Sequence, residues 1–109
     1  MPLNMKELLY LYRRELEAVS DGHLKQMILY GSYARGDFKP DSDVDVMILL
    51  DLDDSALYLY EKKICDITYD FNMEHETDIM PVVKNFDHFN YWKNVYMFYH
   101  NVETEGVAI

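Results

Sequence analysis

The stretch that decides the fold reads Gly31-Ser32-Tyr33-Ala34-Arg35-Gly36-Asp37, and after a short loop the chain continues Ser42-Asp43-Val44-Asp45. A glycine-serine turn after an apolar run suits the binding of a phosphate group by backbone N–H groups. Asp43 and Asp45 open a second apolar run two residues apart, so their side chains point to the same side of a strand. Two hard oxygen ligands beside such a turn predict a site for a magnesium nucleotide, and the chemistry that fits is nucleotidyl or phosphoryl transfer.

Around this stretch, the spacing of apolar residues predicts the order helix, strand, strand, helix, strand, helix. Asn4 and Glu7 resemble a capping box at the start of the first helix, and Asp21-Gly22 ends it. The strands are predicted at residues 24–30, 43–50 and 77–83, with a short helical turn at residues 33–36. Residues 51–55 cap the second helix, Asn85 or Asp87 opens a single last helix, and residues 105–109 add a short strand.

This order predicts an α/β protein of the α+β type, with a small mixed sheet and helices packed on one face. About a dozen residues join the first two strands, so the length of the connection leaves their relative direction open. No linker, repeat or low-complexity run divides the sequence, and we expect one domain over residues 1–109.

Composition restricts the function further. The net charge of -10 argues against a general DNA- or RNA-binding protein, which needs a basic surface. Cys65 is the only cysteine, which excludes an internal disulfide and a cysteine zinc cluster. The sequence contains no apolar run long enough to span a membrane and no signal-peptide core, so we expect a cytoplasmic protein with no membrane contact.

Two familiar loops do not match the sequence. Asp41, Asp43 and Asp45 have the spacing of a calcium-binding EF-hand loop, but that loop requires Gly where Val46 lies and Glu where Leu52 lies. Gly31 and Gly36 have the glycine spacing of a Walker A loop, but Asp37 occupies the position of its essential Lys.

The two motifs together resemble the signature of the polymerase-beta-like nucleotidyltransferases. They are most similar to the minimal nucleotidyltransferases, the MNT-domain antitoxins that are paired with HEPN-domain toxins. The shared pattern is Gly31-Ser32-x-Ala34-Arg35-Gly36 followed by Ser42-Asp43-x-Asp45, and the compatible order of helices and strands covers nearly the whole chain.

The resemblance implies residue roles. Asp43, Asp45 and a third carboxylate from a neighbouring strand would be catalytic and would hold Mg²⁺, as two ions. Asp78 is the candidate for the third, with Glu74 and Glu76 as rivals. Gly31 and Ser32 would contact the beta and gamma phosphates of ATP. Arg35 would bind the nucleotide, although pairing with an acid such as Asp37 or Asp41 fits its position equally well.

The resemblance also implies a function, the transfer of AMP from ATP to a tyrosine hydroxyl of a cognate HEPN toxin, which neutralises the toxin. A chain this small has little surface for gripping a protein, so we expect the toxin or a second copy of the chain, as a homo-oligomer, to supply the remainder. Two alternatives stay open. The chain could mask a toxin without catalysis, or it could modify a small molecule such as an aminoglycoside, although such enzymes usually carry an extra helical domain.

Overall fold

The structure is a computed structural model that describes residues 4–109. The strands β1 (Leu24–Tyr30), β2 (Val44–Leu50), β3 (Ile79–Asn85) and β4 (Val107–Ala108) form one sheet in the order β3-β2-β1-β4. Strand β1 runs antiparallel to β2 and to β4, whereas β2 and β3 are parallel. The mixed sheet and the α+β class expected from the sequence are therefore confirmed, and so is a short strand in the tail.

Within residues 4–109, five helices surround the sheet. They are α1 (Met5–Val19), α2 (Ser32–Arg35), α3 (Asp54–His75), α4 (Phe86–Trp92) and α5 (Met97–Glu105). The Asn4 side chain caps α1 by accepting from the Glu7 backbone N–H at 2.9 Å, as its position predicted. The side chain of Asp53 caps α3 in the same way, accepting from the Ala56 N–H at 3.0 Å.

Helices cover both faces of the sheet, whereas the sequence predicted one. On the first face, alternate β2 side chains such as Val46 and Ile48 pack against α1 and α3 in a core that includes Tyr12 and Phe71. On the opposite face, the intervening β2 side chains Met47 and Leu49 pack with residues of α4 and α5: Phe89, Tyr99 and Val102. Strand β2 is apolar on both sides because it is buried on both sides.

Several predicted boundaries differ from the structure, and three of the differences affect the site. The single last helix is two helices, because the chain turns at residues 93–96 and α5 then packs against β1. Strand β2 begins at Val44, one residue later than predicted, and β3 begins at Ile79. Asp78 therefore precedes the third strand, whereas the sequence pattern placed it inside.

Candidate active site

The sheet brings three chain segments together at one edge. Because β1 is antiparallel to β2, the end of β1 lies beside the start of β2, and Tyr30 pairs with Asp45. Because β2 and β3 are parallel, their starts also lie side by side, with Val44 paired to Ile79. The Val44 N–H donates to the Asp78 carbonyl oxygen at 2.9 Å. The glycine-serine turn and the three predicted acids are thus neighbours in space.

Asp43 and Asp78 are in direct contact. Asp43 immediately precedes Val44 and Asp78 immediately precedes Ile79, and these two strand residues are paired, so the two acids lie side by side at the edge of the sheet. A hydrogen bond to the Asp78 carboxyl raises the pKa of Asp43, and the charge of Asp78 adds to this effect. Two carboxyls can share a hydrogen bond only when one holds a proton, so a pair of carboxylates here repels itself unless a cation lies between them.

Asp45 lies against the turn that precedes α2. Gly31 has φ +73° and ψ −154°, a conformation reserved almost entirely for glycine. A side chain at this position would collide with Asp45 Oδ2, so the absence of a Cβ at Gly31 leaves room for the Asp45 carboxylate. Partial burial raises the pKa of Asp45, the charge of Asp43 raises it further, and the charge of Arg35 opposes them.

The turn forms one wall of a cleft of about 420 Å³. Tyr30, Gly31, Ser32, Arg35 and Asp45 line this wall, and the facing wall comes from α5: Phe98, Asn101, Val102 and Glu105. Tyr30 packs edge-on against Phe98, with ring centroids 5.7 Å apart. Burial, followed by the charge of Asp45, raises the pKa of Tyr30 to about 12, so its hydroxyl stays neutral at physiological pH.

The α5 wall was not predicted from the sequence. The helical pattern of the last segment marks the residues that face the core, such as Tyr99, and carries no signal for those that face a cleft formed by a distant turn. From the sequence alone, a polar Asn101 and an acidic Glu105 on a helix indicate an ordinary solvent-exposed surface.

Arg35 pairs with acids in this structure. Its Nε lies 3.3 Å from Asp37 Oδ2, and its Nη1 lies 3.5 Å from Glu105 Oε2. Asp37 is one of the two acids expected from the sequence, whereas the pair with Glu105 was not predicted. Because Arg35 also lines the cleft, these pairs do not remove it from the reach of a ligand.

Asn72, near the end of α3, holds the segment that carries Asp78. Its side-chain oxygen accepts from the Ile79 N–H at 2.9 Å and from the Thr77 hydroxyl at 2.8 Å, and its side-chain amide donates to the Ile79 carbonyl at 3.0 Å. The residues on both sides of Asp78 are therefore fixed by one side chain. Nothing in the sequence distinguishes Asn72 from other polar helix residues.

The three acids offer the oxygen ligands that magnesium prefers, although they do not form a complete metal site by themselves. Among residues 4–109, no three His, Cys, Asp or Glu side chains are arranged as a metal-binding group. Magnesium needs only one or two carboxylates when substrate phosphates and water complete its octahedral shell. The contact between Asp43 and Asp78, with Asp45 two residues further along the chain from Asp43, supplies that number of hard oxygen ligands.

Comparison with known proteins identifies the family. The profile of the family described as Nucleotidyltransferase domain matches residues 12–98, a range that contains the turn and all three acids. The chain belongs to the nucleotidyltransferase domain family. The enzyme class expected from the sequence is thereby confirmed.

Two relatives of this nucleotidyltransferase come from Methanocaldococcus jannaschii, and both are provisionally named protein adenylyltransferases. One is 30% identical over 77 residues, covering 71% of this chain and 76% of the relative. The other is 34% identical over 85 residues, covering 78% of this chain and 77% of the relative.

Solved structures share the fold. A crystal structure from Sulfolobus solfataricus, provisionally named a nucleotidyltransferase, has a TM-score of 0.64 at 15% identity and covers 95% of this chain and 78% of its own. A toxin–antitoxin structure with AMP-PNP has a TM-score of 0.53 at 20% identity, with 97% and 72% covered. A mutant of the toxin–antitoxin MntA-HpeT has a TM-score of 0.51 at 19% identity, with the same coverage. Within the part of the nucleotidyltransferase that the structure describes, no helix has the length and apolar character needed to cross a membrane.

Proposed function

We propose that this single domain of residues 1–109 is a magnesium-dependent protein adenylyltransferase that transfers AMP from ATP to a tyrosine of a cognate HEPN toxin and so acts as an antitoxin. The observation that carries the proposal is the row of Asp45, Asp43 and Asp78 beside the turn at Gly31 and Ser32. The names of the two archaeal relatives favour a protein as the acceptor. The toxin–antitoxin proteins that share the fold favour a toxin as that protein.

The cleft orients the nucleotide in this proposal. The triphosphate tail lies on Gly31 and Ser32 with Arg35 as a cationic partner, since all three line the same cavity. Asp43 and Asp45, with Asp78 beside them, would hold Mg²⁺ as the resident cofactor. Bound Mg²⁺ neutralises charge on the phosphate oxygens and favours displacement at the alpha phosphorus.

The acceptor approaches from the side of Asp78. Asp78 borders a second cavity of about 370 Å³, which is also lined by Tyr33, Ser42 and His75. The attacking tyrosine oxygen forms a bond to the alpha phosphorus, the bond from that phosphorus to the pyrophosphate oxygen breaks, and pyrophosphate leaves. Asp78 takes the proton of the hydroxyl, which requires its carboxylate form.

The test follows labelled AMP. The protein is incubated with alpha-labelled ATP, Mg²⁺ and the product of the neighbouring gene, and label is measured on that product. We expect Asp43→Asn, Asp45→Asn and Asp78→Asn each to lower the labelling rate by at least about 100-fold, because the first two weaken charge stabilisation at the reacting phosphate and the third removes the base. Asp41→Asn is the matched control, since Asp41 is an exposed acid of the preceding loop, and it should keep most of the activity.

The same experiment separates the alternatives. If the toxin is neutralised without any transfer of label, and if the Asn variants neutralise it equally well, the protein acts by masking the toxin and not by catalysis. If an aminoglycoside added to the same mixture becomes labelled and the toxin does not, the acceptor is a small molecule. Mass spectrometry of the labelled toxin identifies the modified residue, and a site other than tyrosine would correct that part of the proposal.

A further inference from the structure

Glu105 lies where it can control the cationic group of the cleft. It is the last residue of α5, and its carboxylate faces Arg35 of α2 across the cavity that both residues line. The distance from Arg35 Nη1 to Glu105 Oε2 is 3.5 Å, and the Arg35 Nε is held by Asp37 at 3.3 Å. Two acids therefore compensate the charge of the only Lys or Arg among the described residues that line this cleft.

Carboxylate and phosphate compete for the same donors. A guanidinium group offers a planar fork that matches the oxygens of either anion, preferably with two parallel hydrogen bonds. While Glu105 lies beside Nη1, it competes with a phosphate on the turn at Gly31 and Ser32 for the donors of that nitrogen. The negative charge of Glu105 also repels the phosphate, so the pair opposes nucleotide binding in two ways.

The pair is weak enough to exchange. The side chains of Arg35 and Glu105 are 46% and 45% exposed, and ion pairs between exposed side chains contribute little to stability. A polyphosphate, which carries more charge than one carboxylate, is able to displace Glu105 without disrupting the fold.

We propose that Glu105 is a positioning residue that holds Arg35 before the nucleotide binds and is displaced from it by the nucleotide phosphates, so that it lowers the affinity for the nucleotide. This inference rests on the proposed function, since it takes a nucleoside triphosphate as the ligand of the cleft. Each binding event then releases the end of α5 from α2.

The test measures the dissociation constant of Mg-ATP by calorimetry in the absence of acceptor. Glu105→Gln, which keeps the size of the side chain, should bind Mg-ATP about three- to fivefold more tightly, the scale expected for an exposed ion pair. Glu103→Gln is the matched control on the same helix. Glu103 pairs with Lys93 at 3.4 Å and does not line the cleft, so its affinity should equal that of the wild type.

A double variant shows whether Glu105 acts through Arg35. In an Arg35→Gln background, Glu105→Gln should give a clearly smaller gain in affinity, because the competition for Arg35 no longer exists and only the repulsion remains. An equal gain in that background would mean simple repulsion and would overturn the inference, as would unchanged or weaker binding by Glu105→Gln alone. Failure of every protein, wild type included, to bind Mg-ATP would instead overturn the proposed function together with this inference.

Discussion

At the scale of single residues, Gly31 is the position where the backbone and the site depend most directly on each other. Its positive φ allows the turn into α2, and its lack of a Cβ leaves room for the Asp45 carboxylate. Gly36, at the other end of α2, has φ +86°, but a Cβ added there would meet no atom within 4 Å. The two glycines of the motif therefore differ in function, since only the first touches an acid of the site.

Exchange of Gly31 for alanine tests this difference. Gly31→Ala should abolish detectable Mg-ATP binding, because Asp45 must move, and should lower the free energy of unfolding by about 2 kcal/mol or more through backbone strain and collision. Gly36→Ala should cost about 1 kcal/mol, the penalty of the left-handed conformation alone, and should retain binding. Calorimetry and urea denaturation measure both; equal losses of binding in the two variants would contradict the distinct role of Gly31.

The contact of Asp43 with Asp78 predicts how stability depends on pH. The hydrogen bond to Asp78 raises the pKa of Asp43 in the folded state, so folding favours its protonated form. A carboxyl of this kind stabilises the fold below its unfolded pKa, and the contribution is lost as the pH rises through the raised pKa. Asp43→Asn should therefore have an advantage in Tm over the wild type that grows from about pH 4 to about pH 7.

Asp51 provides a control of opposite sign. A hydrogen bond with His23, at 2.8 Å, lowers the pKa of Asp51, so its carboxylate stabilises the fold above the unfolded pKa and this contribution is lost as the pH falls. Asp51→Asn should have a lower Tm than the wild type near neutral pH, with a deficit that shrinks in acid. Thermal unfolding, monitored by circular dichroism at several pH values, measures the change in Tm for both variants and so tests both predicted directions.

At the scale of elements, the end of α3 determines where β3 begins. Asn72 binds the backbone of Ile79 through both atoms of its side-chain amide, and its own carbonyl accepts from the Thr77 N–H at 3.1 Å. The chain then enters β3 with Asp78 next to Asp43. The end of α3 and the start of β3 are thus held together around Asp78, the residue that the proposed reaction needs as a base.

Asn72→Ala removes this connection. The loss should cost about 1–3 kcal/mol of unfolding free energy, because the Ile79 N–H and carbonyl lose their partner, and should reduce AMP transfer more than it weakens Mg-ATP binding. Asn90→Ala is the control, since Asn90 donates to the Phe86 carbonyl within α4, away from Asp78. A fall in binding equal to the fall in transfer would show that Asn72 supports the whole site and not Asp78 in particular.

At the scale of the whole molecule, the sheet separates two cores. One contains Tyr12 and Phe71 beneath α1 and α3, and the other contains Phe89 and Tyr99 beneath α4 and α5. The second core is smaller, yet it carries α5 and with it one wall of the cleft. The stability of the site therefore depends on both faces of the sheet.

Removal of Phe89 tests the second core. Phe89 is fully buried, and Phe89→Ala should lower the free energy of unfolding by about 3–5 kcal/mol, the usual cost of an aromatic cavity. Tyr91→Ala on the same helix should change it by less than about 0.5 kcal/mol, because Tyr91 is 76% exposed. Denaturant titration gives both values, and similar losses would mean that α4 is not packed as described.

The sequence by itself determined the α+β class, the capping of α1 by Asn4 and the closeness of Asp43 and Asp45, because caps, periodicity and two-residue spacing are local properties. The tertiary structure decided what depends on distant contacts. No glycine or proline lies within residues 86–105, so nothing in the sequence marks the break between α4 and α5. That break, which places Glu105 opposite Arg35, and the parallel register that brings Asp78 to Asp43 both arise from packing between segments far apart in the chain.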